Sequence, residues 1–383
     1  MRFVALVALA SGILPLCAQE TTFTRQGPFW VQTTTGSDAA VAHGRLRVST
    51  QGPVTVRGGA ENQVQYTVTR RVKARSESDA RRLLREVAAK SYRQGDVNGI
   101  TIALGGERQG DAELNVTVPR SFRESIVETH GGGIDAADLS GGLEAETGGG
   151  PIRLDRISGP VRAMTAGGQI DLGAMGSSVR CRTAGGAIRA QKIAGDAVLE
   201  TAGGDISVDE VGGTLRASTA GGGIHIIQAG STVAVNTAGG AIEVGSARGM
   251  VTAGSSSGPI RIGAANGVQC DTGGGLVRLA NVTGAVNVST AAGNVIAQLL
   301  SGGAPRDSFL VTGLGDITVF VPSNLGIRIL AQIESNGRIV SDFPAVKTRG
   351  GARQALAEGD INGGGPLLRL SSAGGTIYIR REK

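Results

Sequence analysis

Three stretches of sequence decide the fold: Thr165-Ala-Gly-Gly-Gln-Ile170, Thr183-Ala-Gly-Gly-Ala-Ile188 and Thr201-Ala-Gly-Gly-Asp-Ile206. Each one begins 18 residues after the one before it. Related units begin at Thr129, Thr147, Thr219, Thr237, Ser255, Thr272 and Thr290. Because chance does not keep one register over so many units, the sequence indicates a repeat architecture in which each unit stacks on its neighbours.

Apolar residues hold fixed places within each unit. Two residues after each of the three Ile positions stands another apolar residue, namely Leu172, Ala190 and Val208. An alternation of period two predicts a short strand with one buried face. Further apolar columns follow in every unit and contain, for example, Met175, Val179 and Cys181. Each unit is therefore expected to give two short strands and a brief third contact.

A unit of this size cannot enclose a core alone. Successive turns are therefore expected to stack about 4.8 Å apart, with each strand parallel to its counterpart in the next turn. The prediction is an all-β fold, a single-stranded parallel β-helix or β-solenoid, with about 18 residues per turn. The left-handed hexapeptide helix needs an apolar residue at every sixth position, which this sequence lacks. We therefore expect a right-handed coil.

The corners of the coil are predicted at the threonines and glycines of the repeat. Glycine suits a sharp corner that needs a positive φ or leaves no room for a side chain. The threonine column is in phase with the inward columns, so its hydroxyls are expected to form a hydrogen-bonded ladder rather than an outward ice-binding or ligand-binding array. The residues assigned to this structural repeat are Thr165, Gly167, Gly168, Ile170, Thr183, Gly185, Gly186, Ile188, Thr201, Gly203, Gly204, Ile206, Thr219 and Thr237.

Two cysteines provide a test of this register. Cys181 and Cys270 occupy the same inward column five turns apart, which corresponds to about 24 Å at strand spacing. A disulfide needs Cα atoms within about 7 Å of each other. We therefore expect two buried free thiols.

The first 18 residues have the anatomy of a signal peptide. Arg2 precedes an apolar stretch from Phe3 to Leu16, and cleavage after Ala18 leaves a small residue at the cut. Lipid attachment at Cys17 is the alternative. No later run of 18 apolar residues exists, so we expect no membrane span and export to the periplasm, the outer-membrane surface or the extracellular space. Residues 19–43 are expected to be poorly ordered.

Different patterns flank the regular repeat, which is predicted over residues 121–300. Residues 44–120 are expected to hold strands and one helix that caps the open end, since an open end exposes apolar side chains and unpaired strand edges. Residues 301–383 are expected to form irregular coils and a C-terminal cap, with a loop at 347–353 and a closing strand at 367–380. Ser76 marks the predicted helix start. The apolar stripe of the helix, expected to pack onto the first coil, contains Ala80, Leu83, Leu84, Val87 and Ala88.

Basic residues concentrate in one segment of the sequence. From Arg70 to Arg93 there are nine basic and three acidic residues, a net charge of +6, which equals the formal net charge of the whole chain. A solvated helix face is the simpler interpretation, and peripheral contact with an anionic surface is the alternative. Export and the lack of interleaved aromatic residues argue against nucleic acid as a partner.

The outward positions offer little for catalysis. Polysaccharide lyases and hydrolases of this fold need clustered carboxylates or a basic residue beside a metal. His225 and Glu243, on adjacent turns, are the best candidates for acid–base chemistry, although a surface ion pair is the simpler interpretation. No spacing of His, Cys and Asp predicts a metal site, and no motif predicts a cofactor. The outward column that follows the Ile column separates its carboxylates with arginines: Asp135, Arg153, Asp171, Arg189, Ser207, His225, Glu243, Arg261 and Arg278.

The repeat resembles a known family. The Thr-Ala-Gly-Gly-x-Ile units, the lead-in Val116-Thr-Val-Pro-Arg120, and the closing Asp360-Ile-Asn-Gly-Gly-Gly-Pro366 and Ser372-Ala-Gly-Gly-Thr-Ile-Tyr-Ile379 are similar to the bacterial "putative adhesin" family of envelope proteins. The likeness runs from about Gly44 to the C-terminus. It implies a β-helical domain and surface binding, and it supplies no catalytic residues.

Three functions are compatible with these features. The first is a non-enzymatic, adhesin-like binding or structural scaffold of the cell envelope, whose partner is an envelope or extracellular protein or polysaccharide. The second is a carbohydrate-active β-helix enzyme, a lyase or hydrolase of extracellular polysaccharide. The third is the subunit of a self-assembling filament. Dispersed carboxylates argue against the second and capped ends against the third, so the sequence favours the scaffold.

Overall fold

The computed structural model describes residues 20–60, 62–85, 87–104, 110–301, 306–351 and 354–382. These residues form 32 strands and one helix. Most strands lie in a long parallel stack, which confirms the predicted β-solenoid. The predicted signal peptide and Cys17 lie outside the described residues. Within the described ranges, no helix is long and apolar enough to cross a membrane.

The amino-terminal segment holds eight strands and the helix. In chain order they are β1 (Glu20–Gln26), β2 (Phe29–Ala39), β3 (Arg45–Thr50), β4 (Val54–Gly59), β5 (Gln63–Lys73), α1 (Glu77–Arg85), β6 (Val87–Gln94), β7 (Val97–Leu104) and β8 (Gly110–Pro119).

The regular turns follow. Their strands are β9 (Glu124–Thr129), β10 (Ile134–Leu139), β11 (Gly142–Thr147), β12 (Ile152–Ile157), β13 (Val161–Thr165), β14 (Ile170–Met175), β15 (Val179–Thr183), β16 (Ile188–Ile193), β17 (Ala197–Thr201), β18 (Ile206–Val211), β19 (Leu215–Thr219), β20 (Ile224–Ala229), β21 (Val233–Thr237), β22 (Ile242–Ala247), β23 (Val251–Ser255), β24 (Ile260–Thr272), β25 (Val277–Thr290), β26 (Val295–Leu299), β27 (Ser308–Leu314) and β28 (Ile317–Val321). The last four strands are β29 (Ile327–Ser341), β30 (Lys347–Gly351), β31 (Gln354–Ile361) and β32 (Leu367–Arg381).

Each regular turn contributes one strand to each of two parallel stacks, except that β24 and β25 each run through both. The first stack contains the strands that begin at the Ile column, and Ile170 pairs there with Ile188. The second stack contains the strands that end at the Thr column, and Thr183 pairs there with Thr201. The brief third contact expected in each turn is the buried end of the first strand, as Met175 shows, and not a separate strand.

The inward side chains of both stacks form one continuous core, which runs from Leu46 to Ile379. Cys181 and Cys270 lie in this core, and both are free and buried. Five successive strand pairings separate them, through Leu199, Ala217, Val235 and Ala253. The register expected from the sequence is therefore present in the structure.

The solenoid begins earlier than the repeat motif does. Strands β3 and β4 already form a turn in register with the later ones, because Thr50 pairs with Thr129 and Val54 with Ile134. Beyond that turn, β7 pairs with β3 and β8 pairs with β4, both in parallel. The turn of β3 and β4 thus lies between a turn that follows it in sequence and the first regular one.

Residues 20–39 differ from the poorly ordered segment that the sequence predicted, since they form β1 and β2. Strand β2 pairs antiparallel with β5 over eleven residues, and β1 pairs antiparallel with β2. Together they extend the first stack beyond β8, which pairs antiparallel with β5. Backbone hydrogen bonds to neighbouring strands explain why this segment is ordered, although few of its side chains are buried.

The helix is shorter than predicted and packs elsewhere. It ends at Arg85, and Val87 and Ala88 belong to β6, which pairs antiparallel with β7. Pairing of β6 with β7 outweighs the helical spacing of these two residues. The buried Ala80 and Leu84 pack in a small second cluster. The helix therefore covers the hairpin of β1 and β2 and the end of β5, and not the first coil. The other members of this cluster are Val72, Phe23, Trp30, Ala74 and Leu83.

The final strand was expected to close the carboxyl end of the stack, but it lies inside the stack. Strand β32 pairs with β27 and β28 on one side and with β29 on the other. Strands β31 and β30 then continue outward from β29 in antiparallel order. The predicted loop at 347–353 is wrong for Lys347–Gly351, which pair with β31 as β30; residues 352 and 353 lie outside the described residues.

Candidate functional site

The repeat residues named from the sequence build the corner of each turn. Thr165, Thr183, Thr201, Thr219 and Thr237 are all buried. Each hydroxyl donates to a glycine carbonyl oxygen of the preceding turn at 2.8–3.0 Å. It also accepts the N–H of a glycine in its own corner at 3.1–3.2 Å. The expected ladder therefore runs through hydroxyl-to-backbone bonds and not from threonine to threonine.

The two glycines of each corner have different roles. A Cβ placed on Gly186 would stand 1.9 Å from the carbonyl oxygen of Gly168, whereas one placed on Gly185 would meet nothing nearer than 3.9 Å. The same contrast holds for Gly203 and Gly204, at 3.6 and 2.1 Å. Only the second glycine is thus required by the close approach of two backbones. The repeat motif also allowed a positive φ at these glycines, but none of the four has one.

An open groove of about 890 Å³ runs beside these corners, and we call it the corner groove. It crosses six strands of the second stack, from β3 and β9 to β17, which corresponds to about 24 Å at strand spacing. Its lining repeats from turn to turn, with a residue before the threonine, the threonine itself and the residue after it. The groove is lined by Ser49, Glu128, Thr129, His130, Glu146, Thr147, Gly148, Met164, Thr165, Ala166, Arg182, Thr183, Ala184, Glu200, Thr201 and Ala202.

The side chains that precede the threonines explain where the corner groove lies. Long side chains stand before the threonine in the turns that it crosses: Glu128, Glu146, Met164, Arg182 and Glu200. The residues after those threonines are mostly small, as Ala166 and Ala184 show, so a wall rises beside a low floor. Farther along, the wall position holds Ser218, Asn236 and Gly254, and the groove ends.

His225 and Glu243, the acid–base candidates, do lie next to each other on the first stack. His225 Nδ1 is 3.3 Å from Glu243 Oε2, and Arg261 pairs with the other oxygen of Glu243 at 2.8 Å. The side chains of His225 and Glu243 are 55% and 43% exposed, and neither lines a groove described here. The pair therefore stands on an open strand surface, with no concave wall to exclude water from a substrate.

A second groove of about 590 Å³ lies on the first stack and carries aspartates. Asp171 lies between Arg153 and Arg189 at 3.8 and 3.7 Å. Asp155 accepts the backbone N–H of Ala174 and pairs with Arg156. These two carboxylates are therefore engaged by the protein itself. No group of three or more His, Cys, Asp and Glu residues that could hold a metal occurs in the described part of the chain.

The corner groove was missed from the sequence. The outward column that was considered follows the Ile column, and it does form ion pairs from turn to turn, such as Arg261 with Glu243 at 2.8 Å. The column that precedes the threonine carries the signal, because its side chains change from long to short after Glu200. Reading that column for side-chain length would have located the groove.

No family model matches this sequence, and no curated protein does. Among solved structures, a "putative adhesin" from Parabacteroides distasonis is 14% identical over 75% of this chain and 95% of its own, with a TM-score of 0.35. A "putative adhesin" from Bacteroides fragilis is 12% identical over 91% and 97%, with a TM-score of 0.24. A "putative cell adhesion protein" from Clostridium sporogenes is 10% identical over 91% and 100%, with a TM-score of 0.16. These names agree with the resemblance that the repeat carries, and similarity at this level supports no assignment of function.

Proposed function

We propose that the protein is an exported, non-enzymatic binding scaffold of the bacterial cell envelope, and that it holds an extended polymer along the corner groove. The observation that carries the proposal is the shape of that groove, which is open and linear and repeats its lining across six strands. Such a surface offers contacts from the same three positions at every turn. It therefore suits a polysaccharide or an extended polypeptide better than a compact molecule.

The lining chemistry fits binding through hydrogen bonds and charge. Glu146, Arg182 and Glu200 place both signs of charge along one wall. No Phe, Tyr or Trp lines the groove, so ring stacking on a sugar is not available there. Affinity would accumulate from many modest contacts along the chain of the ligand.

A pair of substitutions tests this use of the groove. Ala184→Trp places a large ring on the floor of the corner groove, whereas Ala238→Trp changes the equivalent, exposed position of a turn that the groove does not reach. We expect Ala184→Trp to reduce sedimentation of the protein with purified envelope polysaccharide and envelope protein fractions, and Ala238→Trp to leave it unchanged. Equal binding by both variants and the wild type would contradict the proposal.

The alternative of a carbohydrate-active enzyme rests on His225 and Glu243. The exposure of that pair weakens this alternative, and neither residue lines a groove, although Ser207, the strand partner of His225, lines the second one. We expect His225→Ala to change neither envelope binding nor the length distribution of an added polysaccharide. Release of shorter chains by the wild type, lost in His225→Ala, would favour the enzyme instead.

A further inference from the structure

The charge of the chain is gathered at one end of the solenoid. Residues 70–93 carry the net charge of +6 that the whole sequence has. In the fold, that segment forms the end of β5, the helix α1 and the strand β6. Strand β5 lies beyond β8 in the first stack, β6 lies beyond β7 in the second, and α1 connects them. All three elements therefore lie beyond the last turn of the core at the same end.

Several cations at this end have no acidic partner within the part of the chain that the structure describes. Arg81 pairs with Glu77 at 2.7 Å, and Arg82 lies 3.9 Å from Asp79. Other exposed side chains of the segment form no ion pair with any described residue, and we call this set the basic end: Lys73, Arg75, Arg85, Lys90 and Arg93. Elsewhere on the surface many arginines pair with carboxylates from turn to turn, as Arg261 does with Glu243. Those that form no such pair with a described residue, for example Arg216 and Arg278, lie on separate turns.

Aromatic side chains of β1 and β2 pack against the same helix and the end of β5. Phe23 and Trp30 stack with ring centroids 5.2 Å apart. Arg81 lies 4.4 Å over Phe23, Arg25 lies 5.6 Å over Trp30, and Arg71 lies 5.5 Å over Phe29. Phe23, Phe29 and Trp30 are half-buried, so part of each ring reaches the surface. Between Phe122 and Phe309 the sequence has no aromatic residue, which makes this cluster distinct from the regular turns.

We propose that the basic end docks the protein on an anionic lipid bilayer, with the solenoid standing away from the membrane surface. Unpaired Lys and Arg side chains are attracted to anionic headgroups, and half-exposed Trp and Phe favour the interface between headgroups and acyl chains. The surface is the covered end of a stack, formed by a helix and a hairpin, and neither described groove reaches it. A third groove at this end, of about 230 Å³, contains one cation, Arg71, beside Asp111 and Glu113, and so does not suit a linear polyanion. A bilayer, by contrast, can meet all the cations at once. This surface is separate from the corner groove, so the two proposals succeed or fail independently.

Vesicle binding of the full chain tests the proposal. Vesicles of phosphatidylglycerol and phosphatidylcholine in equal parts are compared with vesicles of phosphatidylcholine alone. The test variant carries Lys73→Gln, Arg75→Gln, Arg85→Gln and Lys90→Gln. The matched control carries Arg180→Gln, Arg216→Gln, Arg278→Gln and Arg369→Gln, which removes four exposed arginines that form no ion pair with described residues and line neither groove.

We expect the wild type and the control to sediment with the anionic vesicles only, with an affinity that falls as salt rises. The test variant should lose roughly six-hundredfold in affinity, since each of its four basic residues contributes about fivefold near an anionic surface. Trp30 is the only tryptophan of the chain, and its fluorescence should shift to shorter wavelength on anionic vesicles. Ala184→Trp adds a second indole and is used here for sedimentation alone, where no change is expected.

Three outcomes would overturn the proposal. The wild type could fail to sediment with anionic vesicles, or the test and control variants could lose affinity equally. The third outcome is tight binding of soluble polygalacturonate without any change of Trp30 fluorescence on vesicles, which would assign the basic end to a linear polyanion instead.

Discussion

The hydroxyl of Thr183 donates a hydrogen bond of 2.9 Å to the carbonyl oxygen of Gly168, 15 residues earlier in the chain. The hydroxyl oxygen of Thr183 in turn accepts the N–H of Gly186 at 3.2 Å. Thr183 is 2% exposed, so water cannot replace either partner. One buried hydroxyl thus fastens two successive turns at their corner, and the repeat carries this fastening from Thr165 to Thr237.

Removing this hydroxyl should cost stability. Thr183→Val keeps the shape of the side chain but leaves the Gly168 carbonyl oxygen and the Gly186 N–H without a partner, which costs about 1–3 kcal/mol for each buried group left unsatisfied. Thr290→Val is the matched control, because Thr290 is equally buried and its hydroxyl oxygen has no hydrogen-bond partner. We expect denaturant unfolding to show a loss of free energy for Thr183→Val and none for Thr290→Val. A similar loss of unfolding free energy in both variants would mean that the two hydrogen bonds of the Thr183 hydroxyl are not the cause.

The two glycines of one corner should respond differently to a methyl group. In Gly186→Ala the added Cβ would lie 1.9 Å from the Gly168 carbonyl oxygen, so the two turns must move apart. We expect a cost of about 1–3 kcal/mol, as for other overpacked sites. In Gly185→Ala the nearest atom is 3.9 Å away, and thermal unfolding should match the wild type. The prediction fails if Gly185→Ala is the more destabilised of the two.

The thiols of Cys181 and Cys270 should be unreactive while the protein is folded. Both are buried, and five strand pairings separate them. We expect iodoacetamide to modify neither under native conditions and both after unfolding. Peptide mapping without reduction should find no Cys181–Cys270 bond, and detection of that bond would show that the register is wrong.

Alkaline pH should destabilise the protein through the same thiols. Burial raises the pKa of the Cys181 thiol to about 12 from its ordinary value of 9.0, and burial raises the pKa of Cys270 as well. Above about pH 9 the unfolded chain ionises these thiols while the folded chain keeps them protonated. The contribution of the thiols to the free energy of unfolding is therefore fully present below pH 9. It falls between pH 9 and 12 by roughly 1 kcal/mol per pH unit for each thiol.

Comparison with a cysteine-free core isolates this effect. Alanine already occupies the Cys181 column at Ala163 and Ala217, so Cys181→Ala suits the packing. Unfolding free energies are measured at about pH 8 and about pH 10.5 for the wild type and for Cys181→Ala combined with Cys270→Ala. We expect the decrease with pH to be smaller in the variant. An equal decrease in both proteins would assign it to other groups.

Deletion of a whole turn should be tolerated, whereas deletion of half a turn should not. Removal of residues 201–218 brings Thr219 to the place of Thr201, with which it pairs in the intact stack. Every inward column is then rejoined in phase, and we expect a folded protein with a modest loss of stability. Removal of residues 201–209 turns apolar residues outward and should cause aggregation. Circular dichroism and thermal unfolding distinguish the two, and equal unfolding of both would refute the 18-residue turn.

The sequence predicted the middle of the fold well and the ends poorly. Between Thr129 and Thr290 each turn repeats the same burial pattern, so inward columns such as that of Ile170 could be identified by periodicity alone. At the ends the structure depends on pairings between segments distant in sequence, such as Arg328 with Leu367 and Thr50 with Thr129. A single sequence carries no signal for such pairings once the motif is lost, and the corner groove depends on side-chain length in a column outside the motif.

Both ends share a mechanical property that follows from these pairings. Strand β32 is bonded along both edges, to β27 and β28 on one side and to β29 on the other. The turn of β3 and β4 is likewise held between two neighbours. Tension applied at β32 must break two ladders of backbone hydrogen bonds together before any regular turn opens. A terminal coil in sequential order would be held along one edge only, so this end resists peeling more strongly than such a coil would.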